Sequence, residues 1–519
     1  MNSLTNKKRT SQIEKLVESF NSPTEAAEEI NSAFAKNFTD EPDWDSLSIT
    51  DSDACWNIDI RQSTVLQSLK KLKIQKATGS DGLPARILQL AATVLAPPLT
   101  HLFCLSVSSS TFPNKWKIAD VVPLPKVSNP KLQDLRPISK LSICSKILER
   151  LVLQSVKKQL LSHYGHNQYG FRPHSSTLLA HISIQEFITA RLDDPEVKDV
   201  AIVSFDMAKA FDKLNHKALL TTLEKIHLPK NFILWCKSYL RNRRQCVVLN
   251  SGIRSCSSAV TSGVPQGSVL APYLFATHMG SLTPFSPLAH MTKYADDVVI
   301  LLPIYSNTDT DAVLKEEVDN MSNWCRINGL ELNQEKTKVM FLKEQRHLQN
   351  LLTTYPVANE PKVLGLVYES YLKWNQDISK RCKKASQRFF VLRQLKRLLH
   401  KSELVRTHNN FVLSLLEYCA PVFLGISSEN SSRLEKIQRR AHNIVCGLKC
   451  SCDQFPLLSD RRKHLALKCF MAMKEGDHIL HRLFPDLLPS GRRLVVPFCR
   501  TSLRLSSFIP SCILLYNSL

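Results

Sequence analysis

Three aspartates carry the first chemical signal in this sequence. Asp206 closes the apolar run "DVAIVSFD" (199–206), and Asp296 and Asp297 stand side by side in "KYADDVVILL" (293–302). Like charges set together at the mouth of a core segment repel unless a cation lies between them. Carboxylate oxygens are donors for hard divalent ions, and Mg²⁺ takes few protein carboxylates and fills its remaining positions with water or phosphate. Two such ions about 4 Å apart can activate a hydroxyl and stabilise a leaving pyrophosphate. Each motif taken alone also reads as a strand-end cap or turn former; the three together point to metal.

The elements that must present these carboxylates follow from pattern. "DVAIVSF" and "VVILLPI" are β-branched apolar runs of strand length, and the aspartate pair falls on a hairpin turn. Upstream, "VLQSLKKLKIQKATGSDGLPARIL" predicts a helix, a Gly/Asp turn and a second helix, and "KWKIADVVPLPK" (115–126) a short strand ending in a lysine. "SKILERLVLQSVKKQLLSHY" predicts an amphipathic helix, and another begins near "HKALLTTLEKI". "RRQCVVLN" and "SCSSAVTSGVPQGS" read as strand, turn and loop. Beyond residue 375 the periodicity is helical and basic residues thicken, as in "SKRCKKASQRFFVLRQLKRLL" and "RLEKIQRRAHNIV". The pattern as a whole is α+β with a helical C-terminal region.

Charge indicates the partner. Lys and Arg number 68 against 46 Asp and Glu, a net of +22 over 519 residues. Residues 1–60 hold 5 basic and 12 acidic side chains and read as an acidic helical preface and linker, dispensable for polyanion binding. The remaining body is more basic still, and a polyanion is the partner such a body attracts. The N-terminus lacks an apolar leader and no run of about 18 apolar residues occurs, so cytoplasm or nucleus is the expected compartment and no membrane is involved. Fifteen scattered cysteines suit a reducing environment. Oligomeric state is not legible.

"YADD" resembles the signature of reverse transcriptases, and further blocks follow in that family's order. "FDMAKAFDKLNH" is similar to its first palm motif, "SGVPQGSVLAPYLF" to the motif-B loop and helix, "NGLELNQEKTKVMFL" to motif D and "VLGLVYESYLKW" to the primer-grip region. "GSDGLPARIL", "VVPLPK", "LRPIS", "SKILERLV" and "QYGFRP" resemble the fingers of non-LTR (LINE-type, jockey-like) retrotransposon enzymes, and "SLLEYCAPVF" and "RLEKIQRRA" resemble that group's post-thumb region. The resemblance covers roughly residues 60–519. It implies a right-hand polymerase: fingers, a ferredoxin-like palm, a helical thumb and a helical C-terminal region. The implied boundaries are 61–368 for fingers and palm (core motifs about 107–368), 369–445 for the thumb and connection, and 446–519 for a basic, truncated C-terminal region. The implied activity is RNA-directed DNA polymerisation, extending a 3′-hydroxyl DNA primer on an RNA template with dNTPs and two Mg²⁺ ions, Mn²⁺ substituting.

Residue by residue, the resemblance makes Asp206 and Asp296 metal ligands, Asp297 a looser one, and the backbone carbonyl of Met207 a further one. Lys126 and Arg136 would contact triphosphate, an arginine holding phosphate oxygens bidentately where lysine acts as a point charge. Gln266, Gly267 and Tyr294 would line the substrate site, and Phe211 would stand under the sugar and exclude a 2′-hydroxyl. Lys336 would sit near the pyrophosphate as a proton donor. The basic run "LRNRRQ" (240–245) is expected to face nucleic-acid phosphate. Trp324 and Trp374 read as core packing. His442, Cys446, Cys450 and Cys452 are spaced along one helix face, as buried thiols more than as a metal site.

Relative to the family, residues 1–60 supply no endonuclease, the chain stops at "LLYNSL", "WNQDI" lacks a common histidine, and Ala271 replaces a usual glycine. The chain therefore reads as a fragment or degraded copy with its polymerase blocks intact. Two rivals remain: a nucleic-acid-binding relic without turnover, and a group II intron maturase-like protein.

Overall fold

The computed structural model describes residues 12–45, 47, 49, 55–75, 77–250, 252–343, 358, 360–447, 455–488 and 493–518. Among the described residues ten strands run in chain order: β1 (Ile118–Pro125), β2 (Leu135–Lys140), β3 (Val197–Phe205), β4 (Arg243–Val247), β5 (Ser258–Val260), β6 (His290–Tyr294), β7 (Asp297–Tyr305), β8 (Lys338–Phe341), β9 (Lys362–Val363) and β10 (Leu366–Val367). They belong to two compact units. The first takes residues 1–165, 207–282 and 322–331, and the second 166–206, 283–321 and 332–519.

In the first unit a four-stranded sheet has the order β2-β1-β4-β5. β1 pairs antiparallel with β2 and parallel with β4, which pairs antiparallel with β5. The helix Pro23–Ala35 begins at Ser22, whose side chain accepts the N–H of Glu25, with Pro23 preset at the first helical position. Its apolar face (Ala26, Ala27, Ile30, Phe34) is buried against Ala119, Val121, Leu135 and Val247 of that sheet. The acidic preface is thus an integral layer of the unit. Burial of that face favours the unit by several kcal/mol at ~25 cal/mol per Å² of apolar area, so deleting it removes core.

The second unit has an all-antiparallel sheet of order β6-β7-β3-β8 and a small β9–β10 hairpin. Against this sheet lies the helix Thr177–Asp193, buried on nearly every face, including His181, Ser183, Gln185, Glu186 and Thr189. A helix immersed in this way must satisfy each polar side chain internally. His181 Nδ1 lies 2.9 Å from Tyr368 Oη, and Gln185 donates to the carbonyl of Val422 at 3.1 Å. Glu186 meets Arg504 at 2.5 Å and accepts the Ile509 N–H at 2.8 Å. One core therefore runs from the sheet through this helix to the helices Asn375–Leu395, Ser428–Cys446, Leu458–Ala472 and Phe508–Asn517. The expected α+β class with a helical C-terminal region is what the chain has. No described helix is long and apolar enough to cross a membrane.

Candidate active site

Register brings the aspartates of the second unit together. Phe205 of β3 faces Val298 of β7, so the next step along the ladder sets Asp206 beside Asp297. Tyr294 pairs with Asp297, leaving Ala295 and Asp296 as a two-residue turn. Ala295 holds φ 60°, a conformation that hairpin turns ask of glycine and that costs an alanine about 1 kcal/mol or more. The preceding "QYG" loop (168–170) holds the strained turn from behind. Gln168 Oε1 accepts N–H groups from both Gly170 (2.9 Å) and Ala295 (3.1 Å), and a Cβ on Gly170 would come within 2.4 Å of Ala295 N.

Asp206 and Asp296 are half-buried and Asp297 is exposed. Motif D reaches the first of them twice: Asn333 donates its N–H to the Asp206 carbonyl at 2.8 Å, and Lys336 Nζ stands 3.6 Å from Asp206 Oδ2. The lysine occupies ground a metal cation would take, so the donors are oxygens, hard and open to solvent, and fit a hard divalent ion. Among the described residues no three His, Cys, Asp or Glu side chains converge to hold a metal by themselves. Met207 is buried at 5% exposure.

In the first unit, Lys126 and Arg136 are exposed on the β1–β2 hairpin. Leu124 pairs with Arg136, and Lys126 donates its N–H to the Asp134 carbonyl at 3.0 Å. Cross-strand partners and i, i+2 neighbours share a face, so these two cations project from the same side. Phe211 stacks on Phe275 at 4.2 Å between centroids and lines one small cavity with Phe34, Phe38, Asp212 and Gln266. Gly267 holds φ +132°, and a Cβ there would lie 2.4 Å from the Ser139 carbonyl; the neighbouring Gln266 carbonyl accepts the Ser139 N–H at 2.8 Å. Only glycine permits that approach.

Two polar residues that the sequence analysis passed over hold this loop. Glu149, wholly buried, accepts from Ser268 Oγ (2.5 Å), Val269 N (2.8 Å) and Leu270 N (3.2 Å) at the start of the helix Ala271–His278. Asp212 accepts from Gln266 Nε2 at 2.8 Å. The signal available was a carboxylate inside an apolar helical pattern, which asks for buried donors.

"LRNRRQ" departs from expectation. Arg243 is 3% exposed, donates to the Tyr239 carbonyl and lies over its ring; Arg244 donates to Ser257; Arg241 stands 3.7 Å from Asp45. Arg243 alone among these is turned inward; Arg244 is exposed and Arg241 half-buried. Trp374 is core, as expected, whereas Trp324 is half-buried with its indole N–H on Ser281 Oγ. His442 packs edge-on to Phe455 and Cys446 is half-buried; Cys450 and Cys452 lie outside the described residues.

With this geometry in hand, residues 124–368 match the family of reverse transcriptases, the RNA-dependent DNA polymerases. That match covers just under half of the chain. The matched stretch contains the Asp206 strand, the motif-B loop, the Tyr294–Asp297 turn and Lys336. Curated relatives are enzymes of mobile elements. The probable RNA-directed DNA polymerase from transposon BS of Drosophila melanogaster is 26% identical, over 74% of this chain and 44% of that one. The RNA-directed DNA polymerase from mobile element jockey of the same organism is 28% identical over 52% and 30%. The chain thus spans less than half the length of these relatives. Among solved structures, Candida tropicalis telomerase in complex with a fragment of telomeric RNA is 16% identical, with a TM-score of 0.39 over 76% of this chain and 68% of that one. Reverse transcriptases work with divalent metal ions and RNA templates.

Proposed function

We propose that this chain is the RNA-directed DNA polymerase of a non-LTR retrotransposon, extending the 3′-hydroxyl of a DNA primer on an RNA template with dNTPs. The observation that carries the reading is the ladder register that sets Asp206 beside the Tyr294–Asp297 turn, inside the stretch matching the reverse transcriptase family. Asp206 and Asp296, with Asp297 and the Met207 carbonyl as further ligands, would hold two Mg²⁺ ions or Mn²⁺. When bound, such ions supply hydroxyl activation and charge neutralisation at the leaving pyrophosphate.

The chain's own groups do the rest. Lys126 and Arg136, two exposed cations on one hairpin face, bind triphosphate oxygens. Gln266 and Gly267 shape the nucleotide pocket, Tyr294 flanks the substrate, and Phe211 excludes a ribose 2′-hydroxyl. Lys336 yields Asp206 to metal and donates a proton toward pyrophosphate. Residues 61–368 serve as fingers and palm, 369–445 as thumb and connection, and 446–519 as a basic C-terminal region.

A primer-extension assay on an RNA template tests the reading. Metal-dependent addition of dNTPs is expected with Mg²⁺ or Mn²⁺ and not with EDTA. RNA binding without extension under every divalent ion would overturn it in favour of an inert binding protein.

A further inference from the structure

Asp212 follows the sugar-facing Phe211, is 8% exposed, and has no part in the reading above. Its Oδ1 accepts from Gln266 Nε2 at 2.8 Å. Its backbone carbonyl accepts from Ser262 Oγ at 2.8 Å, and the same hydroxyl accepts the N–H of Thr39 at 2.9 Å. Thr39 in turn takes a hydrogen bond on its carbonyl from Thr261 Oγ1 at 2.6 Å. Asn37 Oδ1 accepts from Lys209 Nζ at 2.6 Å. Further on, Trp44 packs on His216 (centroids 5.6 Å apart), and His216 Nε2 lies 2.7 Å from the Gly263 carbonyl. Gly263, at φ +76°, leaves no room for a Cβ against the carbonyls of Phe211 and Asp212 (2.4 and 2.6 Å).

Residues 37–44 are therefore a strap tied across motif A and the motif-B loop, with Ser262 as the knot and Asp212 directly behind it. A glutamine side chain has several rotamers and two amide faces. A fixed acceptor on Nε2 decides which atom the amide turns toward the pocket. A buried, hydrogen-bonded carboxylate holds such a donor more firmly than a neutral group would.

We propose that Asp212 is a positioning residue for nucleotide binding: it orients the Gln266 amide, and the N-terminal strap fixes Asp212 through Ser262. The inference rests on the polymerase reading, since it assigns Gln266 to the nucleotide pocket. Burial raises the Asp212 carboxyl to about 6, opposed by the Gln266 hydrogen bond and by Lys209, Lys126 and Arg136, the cations that act on it. Its hold on Gln266 should accordingly weaken as pH falls through that value.

Single-nucleotide incorporation by the full chain, on an RNA template with a DNA primer, tests this. Asp212→Ala should raise the KM for dGTP about tenfold with kcat within about threefold, and Gln266→Ala should do the same. The double variant should be no worse than the worse single one, because coupled residues are non-additive. Ser262→Ala should raise KM about threefold, and primer-template affinity should be unchanged throughout. Asp212→Asn, nearly isosteric, guards against misfolding. It should restore most of the KM at pH 7.5 and lack the threefold rise that wild type shows, relative to it, between pH 7.5 and 5.5. Both proteins meet the same titration of the triphosphate, so the difference belongs to the carboxyl. Additive effects in the double variant, or parallel pH profiles for wild type and Asp212→Asn, would overturn the assignment. A wild type that incorporates dGTP alongside an Asp212→Ala variant of unchanged KM sinks this inference alone. A wild type that incorporates nothing sinks the polymerase reading and this with it.

Discussion

The carboxylates of the second unit and the motif-B loop of the first are held by different physics. Asp206, Asp296 and Asp297 are placed by backbone: a strand end, a ladder register and a two-residue turn, with Asn333 bonding the main chain of Asp206. Gln266 and Gly267 are placed by groups that arrive from far along the sequence: the Glu149 carboxylate from 117 residues before Gln266, the Ser139 backbone, and the Thr39 N–H, through Ser262, from further still. A backbone-placed site tolerates loss of its side chains without loss of shape. A site placed by buried polar side chains loses both together.

The largest test of that contrast is Asp206→Ala or Asp296→Ala. Either should lower primer extension by about a thousandfold or more while leaving the melting temperature level or slightly raised, since like-charge repulsion is relieved. A variant that extends near the wild-type rate would remove the metal assignment. On the other side, Glu149→Ala strands several buried donors and should cost about 3 kcal/mol in urea unfolding, with Glu149→Gln losing much less. An alanine variant as stable as wild type would show that the loop does not depend on its long-range acceptor.

Phe211 belongs to both worlds, being part of a stack with Phe275 and of the pocket wall. Phe211→Val should raise GTP incorporation by at least tenfold, about 1.4 kcal/mol, with a modest fall for dGTP. If both rates fall together with the melting temperature, the ring is core and not a gate. Asp212 gives the smallest effect. Its folded carboxyl titrates near 6 and an unfolded one near 3.8, so burial of its charge costs stability above pH 6 and nothing below about 3.8. Asp212→Asn should therefore be more stable at pH 7.5 by about 1 kcal/mol, less than the shift alone gives because a charge-assisted bond is lost, and the gain should vanish toward pH 4. Denaturant titrations at the two pH values read this directly.

The same contrast explains what could be read in advance. Strand ends, Gly-bearing turns and amphipathic helices are local, and β1, β3, the helix Ile143–Ser162 and the helix His216–Lys225 lie where the pattern puts them. The helix Thr177–Asp193 escaped because it is buried all round and shows no amphipathic face to find. Within "LRNRRQ" the inward turn of Arg243 escaped because arginine looks the same in sequence whether its donors meet phosphate or the Tyr239 carbonyl. Lys336 was placed with the pyrophosphate by resemblance, whereas in the chain alone it sits against Asp206. The strap from Asn37 to Trp44 carries no periodicity, and its partners lie some 170 to 220 residues away.

The pairing of Glu186 with Arg504 and the Ile509 amide bears on how far the chain can be shortened from its C-terminal side. A nonsense codon between Glu186 and Arg504 removes both partners of that carboxylate together with the helix Phe508–Asn517 that packs in the same core. Removing one partner of a buried pair costs about 3–5 kcal/mol, a large share of the margin that keeps a domain folded. A stop codon shortly before Arg504 is therefore expected to destabilise the second unit and not merely to trim a tail.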